Sequence, residues 1–334
     1  MANRQVKWGV LGAAKIARAV APAICDSQVA EAYAVASRAR AKARSFAAEF
    51  GFGRSYSRYE ALLADPAIEA VYIPLPNWLH AEWTIKSLKA GKHVLCEKPI
   101  GLNAAECRKM IAASRTSNRL LMEAFMYRFH PQTCRLLQIL DSGAIGQVRV
   151  VRASFGFTLA ENSKNVRLQE RAGGGCLMDV GCYCVNLART VFGGEPIAVR
   201  GSSSKGNRSP VDTMFAGILE FPGGGMALFN SSFCTALDTS VEIVGSRGRI
   251  QLPVPWKPGA KTAEFFVESD GTRRRVAVRN GGGIYHLEID HFSRCILGNQ
   301  QPHLTLEDTL NNMIVIDTLA KSAQSGRRER IPGV

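Results

Sequence analysis

A lysine with an acid before it and a proline after it ends a short apolar segment of the chain. Lys98 stands between Glu97 and Pro99, directly after Val94–Cys96. The apolar segment predicts a buried strand, and proline stiffens the turn that ends it. In parallel α/β sheets, ligands bind beyond the carboxyl ends of the strands. A lysine there can point into a ligand crevice, whereas the alternative is a solvated Glu-Lys pair, since short motifs match by chance.

A second group of residues with chemical capacity follows a run of glycines at 173–175. Asp179 and Tyr183 are four positions apart, so a helix over 176–191 places them on one face. Tyrosine is a poor acid–base group at its free pKa of about 10, but a nearby ammonium such as that of Lys98 favours the phenolate. Asp179 would accept a hydrogen bond from a substrate hydroxyl or from the lysine. The glycines would leave the backbone room near a ligand.

These two residues also have ordinary structural explanations. Tyr183 could be a half-buried helix tyrosine with its hydroxyl in water. Asp179 could be an acid of the first helical turn, which the helix dipole favours.

The N-terminal strand pattern leads directly into small residues. Residues 6–11 predict a strand, and a helix is expected from residue 14. A pyrophosphate-binding turn needs small residues here so that backbone N–H groups can approach the ligand. The usual G-x-G-x-x-G/A pattern is matched except at its second glycine, and an ordinary βα turn is the alternative. The candidate phosphate-binding residues are Gly12, Ala13, Ala14, Lys15 and Ile16.

The predicted second strand, residues 32–36, ends in Ser37 and Arg38. An NAD enzyme would carry an acid near this position to bind the ribose hydroxyls. A hydroxyl and a guanidinium would instead donate to a 2′-phosphate. The pair therefore favours NADP, although a capping serine followed by a surface arginine would have the same sequence.

Strands alternate with helices up to residue 125, which predicts a doubly wound parallel sheet in a domain over 1–125. The remainder, 126–334, shows strands with short turns, typical of a mostly antiparallel sheet in an α+β domain. The fold class is therefore α/β, with a Rossmann-type domain and a second α+β domain. The strands expected in the second domain are 147–156, 196–203, 214–221, 225–233, 239–245, 248–252, 263–268 and 273–278, with late helices at 285–297 and 306–325.

Composition narrows the function classes. The chain has 334 residues, is 46% hydrophobic and carries a net charge of +14. The basic residues are spread along it without a zinc-finger or RNA-binding signature, so no nucleic-acid partner is expected. No signal peptide or membrane span is apparent, which favours a cytoplasmic location. Nine scattered cysteines predict free thiols, and no zinc spacing is present, so no metal is expected.

The motifs together resemble the Gfo/Idh/MocA family (glucose–fructose oxidoreductase, inositol dehydrogenase, rhizopine catabolism). The resemblance covers essentially the whole chain. Tyr183 stands where inositol dehydrogenase-like members have histidine, which is similar to the branch of D-xylose and dihydrodiol dehydrogenases. The motifs that carry the resemblance are the Gly12 turn, Pro74–His80, Glu97–Pro99, Gly174–Tyr183, Ser37-Arg38 and Glu123–Pro131.

The resemblance implies an NADP-binding Rossmann domain and an open-faced sheet domain that is commonly used for dimerisation. It implies that Lys98, Asp179 and Tyr183 are catalytic and contact the substrate, with Arg128 lining the substrate pocket. Besides the phosphate turn and Ser37-Arg38, the residues it assigns to the cofactor are Leu75, Pro76, Asn77, His80, Glu97, Lys98 and Met126.

Two function classes remain open at this point. The first is an NADP-dependent oxidoreductase acting on a C–OH or C=O of a sugar, polyol or trans-dihydrodiol. The second is a member that binds the cofactor without turnover, as a sensor. The presence of Lys98, Asp179 and Tyr183 favours the enzyme, because a binding module has no need of all three. The sequence does not name the substrate, and a homodimer or higher oligomer through the open sheet face is expected.

Overall fold

A computed structural model of the chain describes residues 4–160, 165–206 and 209–333. The chain divides into two compact units. The first comprises the N-terminal residues up to 126 together with 282–310, and the second comprises 127–281 together with the residues from 311 onward. Among the described residues, no helix has the length and apolar character that crossing a bilayer requires.

The first unit is built on a six-stranded parallel sheet with the order β3-β2-β1-β4-β5-β6. This is the doubly wound order of dinucleotide-binding folds, in which ligands lie beyond the carboxyl ends of the strands. The central strands are continuous apolar runs because both faces of the sheet are covered. The strands are β1 (Val6–Leu11), β2 (Ala30–Ala36), β3 (Arg54–Tyr56), β4 (Ala70–Ile73), β5 (His93–Glu97) and β6 (Leu121–Ala124).

Six helices accompany this sheet, and glycine or asparagine ends several of them in the left-handed conformation. A single helix over 56–63 is expected from the sequence, but the structure divides this segment into the end of β3 and a shorter helix. The helices are α1 (Lys15–Cys25), α2 (Arg40–Phe50), α3 (Tyr59–Leu63), α4 (His80–Lys89), α5 (Ala104–Ser117) and α8 (Ile284–Gly298).

Helix α8 belongs to the first unit, although the sequence analysis assigned everything after residue 125 to the second domain. The physical reason lies in its buried contacts with β1 and α1. The indole Nε1 of Trp8 donates to Ser293 Oγ at 3.0 Å, and the Trp8 and Phe292 ring centroids are 5.8 Å apart. Ser27 Oγ donates to Asp290 Oδ1 at 2.6 Å. The helix therefore packs on α1 and on the inner strands β1 and β2 of the parallel sheet.

The second unit contains a nine-stranded, mostly antiparallel sheet with the order β14-β13-β12-β11-β7-β10-β9-β8-β15. Among the described strand pairs of this sheet, only β7 and β10 run parallel to each other. The strands are β7 (Val148–Gly156), β8 (Ala198–Lys205), β9 (Asp212–Glu220), β10 (Met226–Ser232), β11 (Asp238–Gly245), β12 (Gly248–Leu252), β13 (Thr262–Ser269), β14 (Thr272–Arg279) and β15 (Glu329–Arg330).

One face of this sheet is packed and the other is open. On β10, Ala227 and Phe229 are buried, whereas Met226 and Leu228 are 47% and 40% exposed. Leu228 lies opposite Ile218 of β9 in the ladder. The helices of this unit are α6 (Pro131–Asp141), α7 (Cys182–Phe192) and α9 (Leu306–Ser325), whose first residues belong to the first unit. The predicted fold class, a Rossmann-type sheet with a second α+β domain, is confirmed.

Candidate active site

The turn between β1 and α1 has the features of a phosphate-binding loop. Gly12 has φ +121°, and a Cβ there would lie 3.0 Å from Leu75 Cδ2. The Gly12 N–H donates to Ala36 O at 2.9 Å, which holds the turn beside the end of β2. Helix α1 begins at Lys15, and Ala14 at its N-cap supplies no side-chain acceptor. The first N–H groups of the helix are therefore suited to an anionic group.

Ser37 and Arg38 follow β2 beside this turn. Ser37 is buried, and its Oγ accepts a hydrogen bond from Ala39 N at 3.4 Å, while Arg38 is exposed. Burial raises the pKa of Tyr59, and the Arg38 guanidinium at its hydroxyl opposes that rise. The Tyr59 hydroxyl lies 3.7 Å from the position of a Cβ on Gly12. The cation, the serine and the glycine turn therefore lie together, and these residues fit an adenosine dinucleotide.

His80 joins two segments at the carboxyl ends of β4 and β5. Its Nε2 lies 2.7 Å from Leu75 O and its Nδ1 lies 2.8 Å from Pro99 O. Complete burial, reinforced by the charge of Lys98, lowers the pKa of His80 to about 4. The ring is therefore neutral at pH 7 and donates to one of the two carbonyl oxygens. His80 thereby hydrogen-bonds one of the two segments at the ligand-binding edge and packs against the other.

Glu97 and Lys98 end β5, and both are half-buried. The bond between Lys98 and Pro99 is cis. Tyr72 on β4 is fully buried, and its hydroxyl donates to Glu97 Oε1 at 2.5 Å. Burial, with the Glu97 carboxylate beside it, raises the pKa of Tyr72 well above its usual value. A neutral phenol thus orients the acid that precedes the lysine.

A carboxyl group that the sequence analysis missed lies near this pair. Glu288 on α8 is 1% exposed, and its Oε1 has no hydrogen-bond partner among the described residues. Burial, and then the charge of Glu97, raises the pKa of Glu288 well above its usual value. Burial and the same two acids raise the pKa of Tyr285. A glutamate at the apolar spacing of its helix, between Tyr285 and Phe292, is the signal that could have revealed it.

In the second unit, Asp179 and Tyr183 stand at the start of the helix that was predicted over 176–191. Its first turn, Leu177–Gly181, is π-helical, and α7 continues from Cys182. Single π-turns inside helices are frequent at functional sites. No pattern in the sequence indicates the π-turn.

The beginning of this helix is anchored to β9. Asp212 Oδ2 accepts a hydrogen bond from Leu177 N at 2.8 Å and another from Cys176 Sγ at 3.1 Å. Gly175 has φ +114°, and a Cβ there would collide with the Asp212 carboxylate. A Cβ on Gly174 would collide with the carbonyl of Arg167. The glycine run, expected to leave room near a ligand, is thus required by close contacts within the chain.

Tyr183 is surrounded by aromatic rings and is only 4% exposed. Its centroid lies 5.4 Å from Phe155, 5.8 Å from Trp256 and 5.9 Å from Tyr127. The side chain is therefore more deeply buried than in the alternative of a half-buried helix tyrosine. The Tyr127 hydroxyl donates to Asn186 Oδ1 at 2.6 Å. The rings fix the orientation of the phenol within its own unit.

Arg128 lies beside this cluster. Its guanidinium donates to Asn186 Oδ1 at 3.2 Å, so it shares an acceptor with Tyr127. Asp179 is 14% exposed and pairs with Arg167, whose Nε lies 2.6 Å from Asp179 Oδ2. Neither Arg167 nor Asn186 was singled out from the sequence, because neither belongs to a recognisable motif.

The predicted site residues are therefore distributed between the two units. The second unit holds Arg128, Asp179 and Tyr183. Among the described residues, no group of three or more His, Cys, Asp or Glu side chains is arranged to hold a metal ion. All nine cysteines are free thiols. The first unit holds Gly12, Ala13, Ala14, Lys15, Ile16, Ser37, Arg38, Leu75, Pro76, Asn77, His80, Glu97, Lys98 and Met126.

Comparison with known proteins agrees with the architecture of both units. Residues 6–125 match the model of an oxidoreductase family with an NAD-binding Rossmann fold. Residues 134–251 match the model of the GFO/IDH/MocA C-terminal domain. The chain belongs to the Gfo/Idh/MocA family of oxidoreductases. The predicted resemblance is thereby confirmed.

Three members of the family illustrate the similarity. The chain is 37% identical to D-xylose 1-dehydrogenase (NADP(+)) 2 of Haloferax volcanii, over 96% of this chain and 98% of that protein. It is 34% identical to trans-1,2-dihydrobenzene-1,2-diol dehydrogenase of Xenopus tropicalis, over 91% and 93% of the two chains. The structure of KijD10, a 3-ketoreductase from Actinomadura kijaniata in complex with NADP and TDP-benzene, superposes with a TM-score of 0.89 at 30% identity, covering 96% and 98% of the two chains.

Proposed function

We propose that this protein is an NADP-dependent oxidoreductase that interconverts a C–OH and a C=O group of a sugar, a polyol or a related diol. The observation that supports this most is the presence of Lys98, Asp179 and Tyr183 in a chain of an oxidoreductase family. Lys98 lies at a strand end of the Rossmann-type sheet, and the other two lie at the start of a helix fixed by Asp212. D-xylose and trans-dihydrodiols, the substrates named for two relatives, both carry adjacent hydroxyls.

In the proposed mechanism, the nicotinamide supplies or accepts the hydride when bound. Tyr183 exchanges the proton at the substrate oxygen, and the aromatic rings around it hold the phenol in one orientation. Lys98 stabilises negative charge on the substrate oxygen or the phenolate. Asp179 accepts a hydrogen bond from a substrate hydroxyl and so orients the ring. Arg128 lines the same substrate pocket.

The proposed cofactor preference rests on Arg38 and Ser37 beside the glycine turn. Arg38→Ala should raise the NADP Michaelis constant and leave the NAD constant nearly unchanged, since NAD has no 2′-phosphate for the guanidinium to bind. Arg44→Ala removes an exposed arginine from α2 and serves as the control. Steady-state kinetics with both cofactors measure the effect, and equal use of NAD and NADP by the unaltered protein would contradict the preference.

The decisive experiment is a dehydrogenase screen with NADP and NAD against aldoses, inositols and trans-diols, followed by NADPH absorbance. We expect turnover of at least one aldose or diol. Lys98→Met should abolish turnover while NADPH fluorescence still reports binding, whereas Lys109→Met, on the exposed face of α5, should leave both unchanged. Binding of NADPH without turnover of any substrate would instead indicate a cofactor-binding regulatory protein.

A further inference from the structure

Arg167 and Asp179 form an ion pair at the start of the helix that carries Tyr183. The Nε of Arg167 lies 2.6 Å from Asp179 Oδ2, and the two side chains are 43% and 14% exposed. The pair is thus open to solvent on the arginine side. The pair places the Arg167 guanidinium, a donor, and the Asp179 carboxylate, an acceptor, on the segment that leads into the helix of Tyr183, the proton carrier of the proposed mechanism.

The backbone holds Arg167 in this position. Its N–H donates to the capping side chain of Asn165 at 3.0 Å. Its carbonyl accepts a hydrogen bond from Gly175 N at 2.9 Å, and Gly174 packs so closely on that carbonyl that a side chain there would not fit. Asp179 N in turn donates to Gly175 O at 3.0 Å. The arginine and the aspartate are therefore fastened to one short segment and keep a fixed separation.

The ion pair leaves hydrogen-bonding capacity on the arginine. A guanidinium has five N–H donors, and only the Nε–H of Arg167 is bound to a side chain in the described part of the chain. A carboxylate accepts up to about four hydrogen bonds, so Asp179 can accept further donors beside the arginine. The pair therefore offers one acceptor and at least one donor side by side. Two adjacent hydroxyls present the complementary arrangement, since each hydroxyl both donates and accepts.

We propose that Arg167 and Asp179 together bind a vicinal diol, with Asp179 accepting from one hydroxyl and Arg167 donating to its neighbour. This inference rests on the proposed function, because it concerns the substrate of the same site. It makes Arg167 a specificity-determining residue that no sequence motif indicates. Compounds with a single isolated hydroxyl are then poor substrates even where their reacting carbon is equivalent.

The test compares a diol with its analogue that lacks the neighbouring hydroxyl, in two enzyme variants. The pairs are D-glucose with 2-deoxy-D-glucose, and trans-cyclohexane-1,2-diol with cyclohexanol. In the unaltered protein, the analogue should lower kcat/KM by roughly 10- to 100-fold, the effect of losing a hydrogen bond to a charged group. In Arg167→Gln, the ratio of kcat/KM for the diol to kcat/KM for its analogue should shrink to about 1–3-fold. The comparison between variants cancels the intrinsic difference in reactivity between diol and analogue.

Two further variants separate recognition from structure. Arg171→Gln removes a charge from the same loop, and Arg171 is exposed. It should keep the ratio of the unaltered protein. Arg167→Lys keeps the charge but loses the planar, forked set of guanidinium donors. Its ratio should lie between that of Arg167→Gln and that of the unaltered protein. Unchanged NADPH affinity and melting temperature establish that each variant is folded.

The outcomes distinguish this inference from the proposed function. Turnover of a diol with the same analogue ratio in Arg167→Gln as in the unaltered protein overturns the inference and leaves the proposed function standing. An equal loss of kcat/KM on diol and analogue in Arg167→Gln would make Arg167 a structural residue, and this result also overturns the inference. If neither diol is turned over, the proposed substrate class fails and the vicinal-diol inference fails with it.

Discussion

Glu288 is a buried carboxyl group with a raised pKa. The side chain is fully buried on α8, its Oε1 has no donor among the described residues, and the charge of another acid, Glu97, raises its pKa further. Burying an ionised carboxylate without a cation or donors is very costly. Burial and the Glu97 carboxylate therefore both favour the neutral form of Glu288.

The raised pKa of Glu288 predicts a pH dependence of stability. The unfolded chain ionises Glu288 above its ordinary pKa of 4.5, whereas the folded chain ionises it only at a higher pH, because burial raises that pKa. The stabilisation is fully present below pH 4.5 and is lost as the pH rises toward the folded pKa, at up to about 1.4 kcal/mol per pH unit. Glu288→Gln cannot ionise and should gain stability relative to the unaltered protein as the pH rises.

Calorimetric melting at pH 5, 6, 7 and 8 measures the difference between the two proteins. Glu60→Gln changes an exposed acid on α3 and should show no such trend. A melting-temperature difference between Glu288→Gln and the unaltered protein that stays constant across this range would mean that Glu288 is ionised in the folded state.

Tyr183 carries the second prediction at this scale. Tyr183→Phe keeps the ring among Phe155, Trp256 and Tyr127 and removes only the hydroxyl. The expected loss in kcat is on the order of 10²-fold or more, typical of general acid–base groups. Tyr33→Phe removes the same atom from β2 and should leave kcat unchanged. Near-normal turnover by Tyr183→Phe would make Lys98 the leading proton carrier.

At the scale of the element, the π-turn and α7 depend on one carboxylate. Asp212 binds the Leu177 N–H and the Cys176 thiol, as a capping residue does, although it comes from β9. Asp212→Ala should lower the free energy of unfolding by about 1–2 kcal/mol, the usual cost of losing a helix cap. It should also lower kcat, because Asp179 and Tyr183 stand on that turn.

Urea denaturation and steady-state kinetics test this prediction. Asp141→Ala, at the exposed end of α6, removes an equal charge and should be close to neutral. If Asp212→Ala kept full stability and full activity, the strand pairing of β9 and the glycine run at 173–175 would be sufficient to position the helix without the carboxylate.

The elements themselves were largely predictable, because their signals are local. The alternation of buried and exposed residues along β10 and the apolar run of β5 each fix a strand within its own few residues. The contacts that complete the site are not local. Asp212 reaches Leu177 across 35 positions, and the short β15 exists only because it pairs with β8. The sequence contains no signal for such long-range partners.

At the scale of the whole molecule, the open face of the nine-stranded sheet carries Met214, Met226 and Leu228, each at least 40% exposed. Charged residues flank them, as Arg152 does beside Leu228 in the ladder. We propose that this face forms a homodimer or higher homo-oligomer, because apolar side chains clustered on a sheet favour burial. The expected stoichiometry is two or more chains at micromolar concentration.

Leu228→Arg should weaken that association by roughly 30-fold or more, as expected for a residue worth ~2 kcal/mol at an interface. Leu237→Arg alters a leucine that is 77% exposed in the connection between β10 and β11, and should leave the mass unchanged. Light scattering and sedimentation velocity measure both variants. A monomeric unaltered protein would contradict the proposed assembly.

The return of α8 to the first unit sets an order of events during synthesis. A ribosome releases all six strands of the parallel sheet long before residue 293 emerges, and until then the Trp8 indole has no Ser293 to bind. The nucleotide-binding half of the protein therefore completes its folding only after the other half has been translated. A gene fragment that stops at residue 126 encodes every strand of that sheet but lacks the helix that covers Trp8 and Ser27. Such a fragment would emerge with an apolar surface in need of a chaperone.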